Sequence, residues 1–278
     1  MFSTYLQAVK DQHPLVDCIT NIVSVNDVAN GLLAIDARPV MASVPDEIEA
    51  FVSGADALLI NLGAMNEEQR TAMRRGARCA NRLKKPVILD PVGLGASPLR
   101  QEVLADLLTS CQLTAIRGNI SELRALAGLA TDAGGVDAST SDLATKEGFE
   151  QAIAMAKELA ITHHTIIAIS GEVDIITDGT TVLTVHGGNE IMTRVTGTGC
   201  TLTGILAAFV AASPDNPLEA SAAAIAMMCV AGDEALAHTG TPTGTGTFRT
   251  LMMDALSLIT PNQLDTDITI RCHEGGKL

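Results

Sequence analysis

The chain has 278 residues, 47% of them apolar, enough to bury a large core, and α/β folds of this size commonly form one domain. Aromatic residues make up 2%, with no Trp and one Tyr, which disfavours single-stranded nucleic-acid binding through stacked aromatic platforms. A formal charge of −14 argues further against a phosphate-backbone partner. An anionic ligand must therefore be held by local devices: backbone N–H groups, a helix N-terminus, one or two Arg, or a metal.

Residues 1–12 alternate polar and apolar positions and lack a basic region followed by an apolar block, so no signal peptide is expected. Asp17-Cys18-Ile19-Thr20-Asn21, followed by Asn26 and Asn30, reads as the end of a first strand and the start of its helix. Short β-branched runs at 57–62, 86–89, 113–116 and 165–169 read as strands buried on both faces. Between them, 67–83 and 145–160 read as helices; in the second, Phe149, Ala152, Ile153, Ala156 and Leu159 share one face. Asp178-Gly179 between apolar runs points to a hairpin near one sheet edge.

The remaining third is expected to be helical at 199–212, 217–237 and 247–259. Its most apolar stretches, 202–212 and 220–231, are broken by Thr, Gly or Ser and short for a membrane span, so buried helices are expected and no membrane association. Six cysteines are scattered without a C-x-x-C pair, which suits reduced thiols and a cytoplasmic protein. The expected organisation is one α/β domain, residues 1–262, with a mostly parallel sheet, and a tail at 263–278.

Four segments carry candidate chemistry. Thr196-Gly197-Thr198-Gly199-Cys200-Thr201 opens an apolar helix: its glycines allow a tight turn and its N–H groups can face an anion. A plain helix start remains the bland alternative, and neither the P-loop nor the dinucleotide fingerprint is present. Cys200 lies in the first turn, where a thiol pKa can fall far enough for the sulfur to serve as a base; the alternative is an ordinary buried small residue. Asp90 ends a buried strand before Pro91-Val92-Gly93, where open α/β sheets place their ligands, or else it simply makes an Asp-Pro turn.

In Arg117-Gly118-Asn119-Ile120-Ser121-Glu122, Asn119 can cap a helix that carries Glu122 in its first turn. Glu122 either completes a capping box or converges with Asp90 to hold Mg²⁺ through water. The amides near Asn21 either recognise a neutral polar ligand or cap a helix. Met41 is core by default and can line an apolar pocket; no His spacing suggests zinc.

Taken in order, Ile19-Thr20-Asn21, Asn26 with Ala29-Asn30, Pro39-Val40-Met41-Ala42, Asn61-Leu62-Gly63, Asp90-Pro91-Val92-Gly93, Ile116-Arg117-Gly118-Asn119, Gly171-Glu172-Val173-Asp174, 193–200 and Gly244-Thr245-Gly246-Thr247-Phe248 resemble the hydroxyethylthiazole kinase family of thiamine salvage. The resemblance runs to about Ile259. It implies a ribokinase-like, doubly wound α/β sheet flanked by helices, assembled as a homotrimer. The implied activity is ATP- and Mg²⁺-dependent phosphorylation of the primary hydroxyl of 4-methyl-5-(2-hydroxyethyl)thiazole.

The resemblance also implies roles: Arg117 and Ser170 on ATP, Asp90 and Glu122 on Mg²⁺, Met41, Gly197 and Asn21 on the thiazole, and Cys200 with Gly197, Thr198 and Gly199 at the reacting centre. Relatives of other activity, such as pyrimidine kinases or ATP-dependent dehydratases of hydrated nicotinamide cofactors, usually carry Asp where this chain has Cys200, and a binding-only thiazole module would not need the intact Asp90, Glu122 and Cys200. The chain departs from the family pattern at Asp17, where His is usual, at Asp36, Arg38 and Ala64, and at Ser170, where Thr is usual.

Overall fold

The computed structural model describes residues 1–129 and 145–273. In chain order these form α1 (Ser3–Gln12), β1 (Leu15–Ile19), α2 (Val25–Ala34), β2 (Arg38–Val40), α3 (Ile48–Gly54), β3 (Ala57–Asn61), α4 (Glu67–Arg82), β4 (Val87–Asp90) and α5 (Pro98–Ser110). There follow β5 (Ala115–Asn119), α6 (Ile120–Leu126), α7 (Lys146–His163), β6 (Ile166–Ser170), β7 (Val173–Thr177), β8 (Val182–His186), α8 (Thr198–Ala212), α9 (Pro217–Ala237), α10 (Thr245–Leu258), α11 (Gln263–Thr266) and β9 (Thr269–His273).

Among the described residues the strands make a single sheet of order β2-β1-β3-β4-β5-β6-β7-β8-β9. Pairings from β2 to β6 are parallel, and β6, β7, β8 and β9 pair antiparallel. Strand residues alternate between two cores as the pleat requires. Leu59, Ile88, Ala115 and Ala168 face the layer that holds α8 and α9, while Leu58, Ile60, Leu89, Ile116, Ile167 and Ile169 face the layer of α3, α4 and α7. Buried on both faces, the central strands have no polar stripe, hence their continuous apolar runs.

The chain leaves β1 for β2 on one side and then crosses to β3 on the other, so the winding direction reverses between β1 and β3. The carboxyl ends of strands at such a switch point form the crevice in which open α/β sheets bind ligands.

Two expectations need correction. The stretch from 263, read as a tail, holds α11 and the edge strand β9, which pairs with β8 from Val182↔His273 to His186↔Thr269. Leu264 is buried, and Asp265 Oδ1 accepts the N–H groups of Phe2 and Ser3 at 2.6 and 3.2 Å, tying this stretch to the start of the chain. Residues 274–278 lie outside the described residues. Also, α9 runs for 21 residues and is long and apolar enough to cross a membrane. Its apolar surface on all sides is instead buried in the core, as expected of a central helix.

Candidate functional site

The C-terminal ends of β1, β3, β4, β5 and β6 each deliver a polar side chain to the same region. Asn61 ends β3 and stands in register with Asp90, which ends β4. Arg117 lies in β5, in register with Ala168 of β6, and Ser170 ends β6. Asn21 follows β1 and turns on itself: its Oδ1 accepts from the N–H groups of Val23 (3.0 Å) and Ser24 (3.2 Å) as the chain enters α2.

Two amides organise the centre. Asn61 Nδ2 donates to Asp90 Oδ2 at 3.1 Å and to Cys200 Sγ at 3.2 Å, while its Oδ1 accepts from Asn21 Nδ2 at 3.0 Å and Gly63 N–H at 2.9 Å. All four hydrogen-bonding positions of the amide are used. The Gly63 N–H and the Asp90 carboxylate fix its orientation, because a flipped amide would set donor against donor and oxygen against carboxylate. Asn21 Nδ2 supplies a second donor to Cys200 Sγ at 3.5 Å.

Asp90 is buried, and Thr203 Oγ1 donates to its Oδ2 at 2.8 Å. Burial pushes its pKa up to about 7; Glu122 adds to the rise, and Arg117 with the Thr203 and Asn61 hydrogen bonds opposes it. Arg117 is buried as well, donates from Nη2 to Ser170 Oγ at 2.6 Å, and keeps a buried Nε without a partner among the described residues.

Glu122 realises the capping-box reading. Asn119 Oδ1 accepts from Glu122 N–H, and Glu122 Oε2 accepts from Asn119 N–H, both at 2.9 Å. Its other oxygen accepts the Gly93 N–H at 2.9 Å, where the chain turns with φ +63°. One carboxylate thereby ties the turn after β4 to the start of α6.

The glycine turn opens α8. Gly197 adopts φ +89°, a left-handed conformation that suits glycine, and among the described residues no side chain caps the helix, so first-turn N–H groups are left to face a ligand. Thr198 Oγ1 donates to Val195 O at 2.8 Å. A Cβ on Gly199 would stand 2.6 Å from Arg117 Nη1, so glycine here lets the guanidinium lie directly against the helix start. Together these groups make a cationic wall at the N-terminus of α8.

The thiol of Cys200 departs from its expectation. Burial raises its pKa and the Asp90 charge raises it further, while the Ser24 hydroxyl and the Asn61 and Asn21 amides pull the other way without prevailing. The position in a first helical turn does not outweigh desolvation. Cys200 rests as a thiol held by two amide donors.

Met41 lines a shallow cleft of about 190 Å³ with Cys18, Thr20, Ile22, Val25, Ser43 and Gln69, a set that includes neither Gly197 nor Cys200. Ile22, in its lining, is 81% exposed, and Val23, next in the chain, is 63% exposed, an unusual placement for large apolar side chains beside a polar centre. Among the described residues no three His, Cys, Asp or Glu side chains gather as a direct metal cage.

Asn61 holds both Asp90 and Cys200, and Thr203 holds Asp90, yet sequence reasoning did not single either out as a site residue. A polar residue ending an otherwise apolar strand, level with Asp90 on the next strand, was the available signal for Asn61. Thr203 carried none, being one hydroxyl within an apolar helix.

The profile of the Hydroxyethylthiazole kinase family matches residues 6–262. A hydroxyethylthiazole kinase of Methanobrevibacter smithii is 41% identical over 258 residues, 90% of this chain and 89% of the relative. The solved structure of the hydroxyethylthiazole kinase from Pyrococcus horikoshii superposes with a TM-score of 0.87 at 33% identity, covering 98% of this chain and 99% of that one. The pyridoxal kinase of Staphylococcus aureus in complex with ADP shares the ribokinase-like fold at a TM-score of 0.56 and 15% identity, over 79% of this chain and 87% of that one. With that profile and those relatives spanning nearly its whole length, the chain belongs to the hydroxyethylthiazole kinase family.

Proposed function

We propose that this enzyme, with Mg²⁺, transfers the γ-phosphoryl group of ATP to the primary hydroxyl of 4-methyl-5-(2-hydroxyethyl)thiazole. The observation that carries the reading is the meeting of Arg117, Ser170, Asp90 and Cys200 at the uncapped start of α8. Phosphoryl transfer asks mainly for positioning and charge stabilisation around a loose transition state. Arg117 and the N–H groups from Gly197 to Cys200 supply that for the phosphate oxygens, with Ser170 steadying the guanidinium.

Asp90 and Glu122 would hold Mg²⁺ through water. Both are oxygen donors, as a hard cation prefers, and Mg²⁺ commonly keeps several waters beside one or two carboxylates. A desolvated Asp90 whose pKa is driven to about 7, with Glu122 contributing, is a site that a cation would relieve. When bound, the ion neutralises charge on the phosphate oxygens.

The thiolate form of Cys200 takes the hydroxyl proton. Asn61 and Asn21 donate to its sulfur and favour the thiolate against burial. A transition state with little nucleophile bonding needs only modest help, at the low end of roughly 10²–10⁴-fold. Asn21, Met41 and Gly197 would line the acceptor pocket. The cleft that Met41 lines does not include Gly197, and exposed Ile22 belongs to that lining. Both points support a homotrimer whose pockets close between subunits. The described cysteines are all free thiols, which suits a reducing cytoplasm.

A coupled ADP-release assay with Mg-ATP and the thiazole tests the reading, beside a hydroxymethylpyrimidine control and a blank without acceptor. Thiazole-dependent turnover is expected; turnover with the pyrimidine alone would sink the assignment. Light scattering after size exclusion should return three times the chain mass.

A further inference from the structure

We propose that Arg249 is a positioning residue for the kinase reaction: from α10 it cancels the charge of Asp27, a carboxylate lodged beneath the anion-facing glycine turn. The inference rests on the kinase reading above and extends it to a residue pair with no place in that mechanism.

The geometry sets a problem that Arg249 answers. Asp27, in the first turn of α2, is 8% exposed. A Cβ built on Gly197 would stand 3.2 Å from Asp27 Oδ2 and 3.3 Å from Ser24 Cβ, so the carboxylate lies directly under the turn. The turn thus has a guanidinium on the Gly199 side, from Arg117, and a carboxylate on the Gly197 side. An uncompensated buried negative charge there would repel the phosphate that the α8 N–H groups and Arg117 attract.

Arg249 removes that conflict. Its Nη2 donates to Asp27 Oδ1 and its Nε donates to Oδ2 at 3.4 Å, a two-pronged contact across 222 residues of sequence. Asp27 then shapes the turn by its bulk and acceptors while its charge is neutralised from the far side. A salt bridge that only pins α10 to α2 is the rival account, and the two differ in what happens when both charges are removed.

The test uses the full chain and titration calorimetry with Mg²⁺ and a non-hydrolysable ATP analogue. Arg249→Met should weaken the analogue by about tenfold or more, the size of an unpaired charge near a phosphate. Asp27→Asn alone should bind as tightly as wild type or tighter. The double variant should return to within about threefold of wild type. A double variant as weak as Arg249→Met, or an Arg249→Met that binds normally, overturns the proposal. Should Arg249→Met fail to fold, Arg249→Lys, which keeps the charge without the fork, should stay within about threefold; a tenfold loss there assigns the pair to tethering instead. Failure of the kinase reading would look different: wild-type protein that binds the analogue yet releases no ADP with the thiazole.

Discussion

The side-chain amide nitrogen of Asn61 donates to Cys200 Sγ at 3.2 Å while its second hydrogen goes to Asp90 Oδ2 at 3.1 Å. The same amide therefore orients the proton acceptor and one of the proposed magnesium carboxylates. Asn61→Leu keeps the approximate volume and removes both donors. We expect kcat to fall at least about tenfold and stability by about 1–3 kcal/mol, the cost of leaving buried Asp90 short of a partner. Thermal melts and steady-state kinetics check this; an unchanged kcat in a destabilised protein would confine Asn61 to folding.

Cys200→Ala should lower kcat by up to about 10²-fold with little change in KM, because the base acts only as the hydroxyl proton leaves. Burial and Asp90 hold the thiol above its ordinary range, so the wild-type kcat should still be climbing from pH 7 to pH 9. The alanine variant should lose that climb. Identical slopes in the two proteins would remove Cys200 from proton transfer.

Much of this site was readable from residue order because each strand end announces itself: an apolar run stops at a polar residue, and a Gly or Pro turn follows. Asp90 and the Arg117-Gly118-Asn119 end of β5 are of this kind; the Gly197–Cys200 turn follows a short 3-10 helix and was readable from its glycines before an apolar helix. Relations between distant residues were not readable. Nothing in the sequence links Asp27 to Arg249, and the balance that raises the Cys200 pKa depends on burial beside Asp90, which sequence spacing cannot supply. Among the strands, β2 is three residues long and contains Pro39, tolerable only because it is an edge. Strand β9 is half exposed at the opposite edge, so its apolar pattern is weak.

Ser170 accepts a 2.6 Å hydrogen bond from Arg117 Nη2, the hydrogen-bond partner that steadies the guanidinium at the helix start. Ser170→Ala should raise KM for ATP about three- to tenfold, matching the roughly 1 kcal/mol of one net hydrogen bond. Ser170→Thr keeps the hydroxyl and should restore the wild-type KM. If both variants behave alike, bulk at the end of β6 matters and the hydroxyl does not.

Asp17 offers a test through stability. Its side chain is fully buried, Oδ1 accepts the Ala42 N–H at 3.2 Å, and Oδ2 has no partner among the described residues. Burial pushes its pKa to about 7, with Glu47 adding to the rise and the Ala42 and Cys18 N–H groups opposing it. The unfolded chain loses this proton near pH 4, whereas the folded protein keeps it until about pH 7. Between those values the folded state binds more protons, so this group lowers stability progressively as pH rises from about 4 to about 7, with no further change above. Asp17→Asn keeps the acceptor for Ala42 and removes the charge. Its melting temperature should exceed that of wild type by about 3 °C or more at pH 8, at roughly 2–4 °C per kcal/mol for a chain of this size. At pH 5, where Asp17 is already protonated in the folded state, the advantage should shrink. An equal gap at both pH values would mean that the burial of this carboxylate, and not its ionisation, governs the difference.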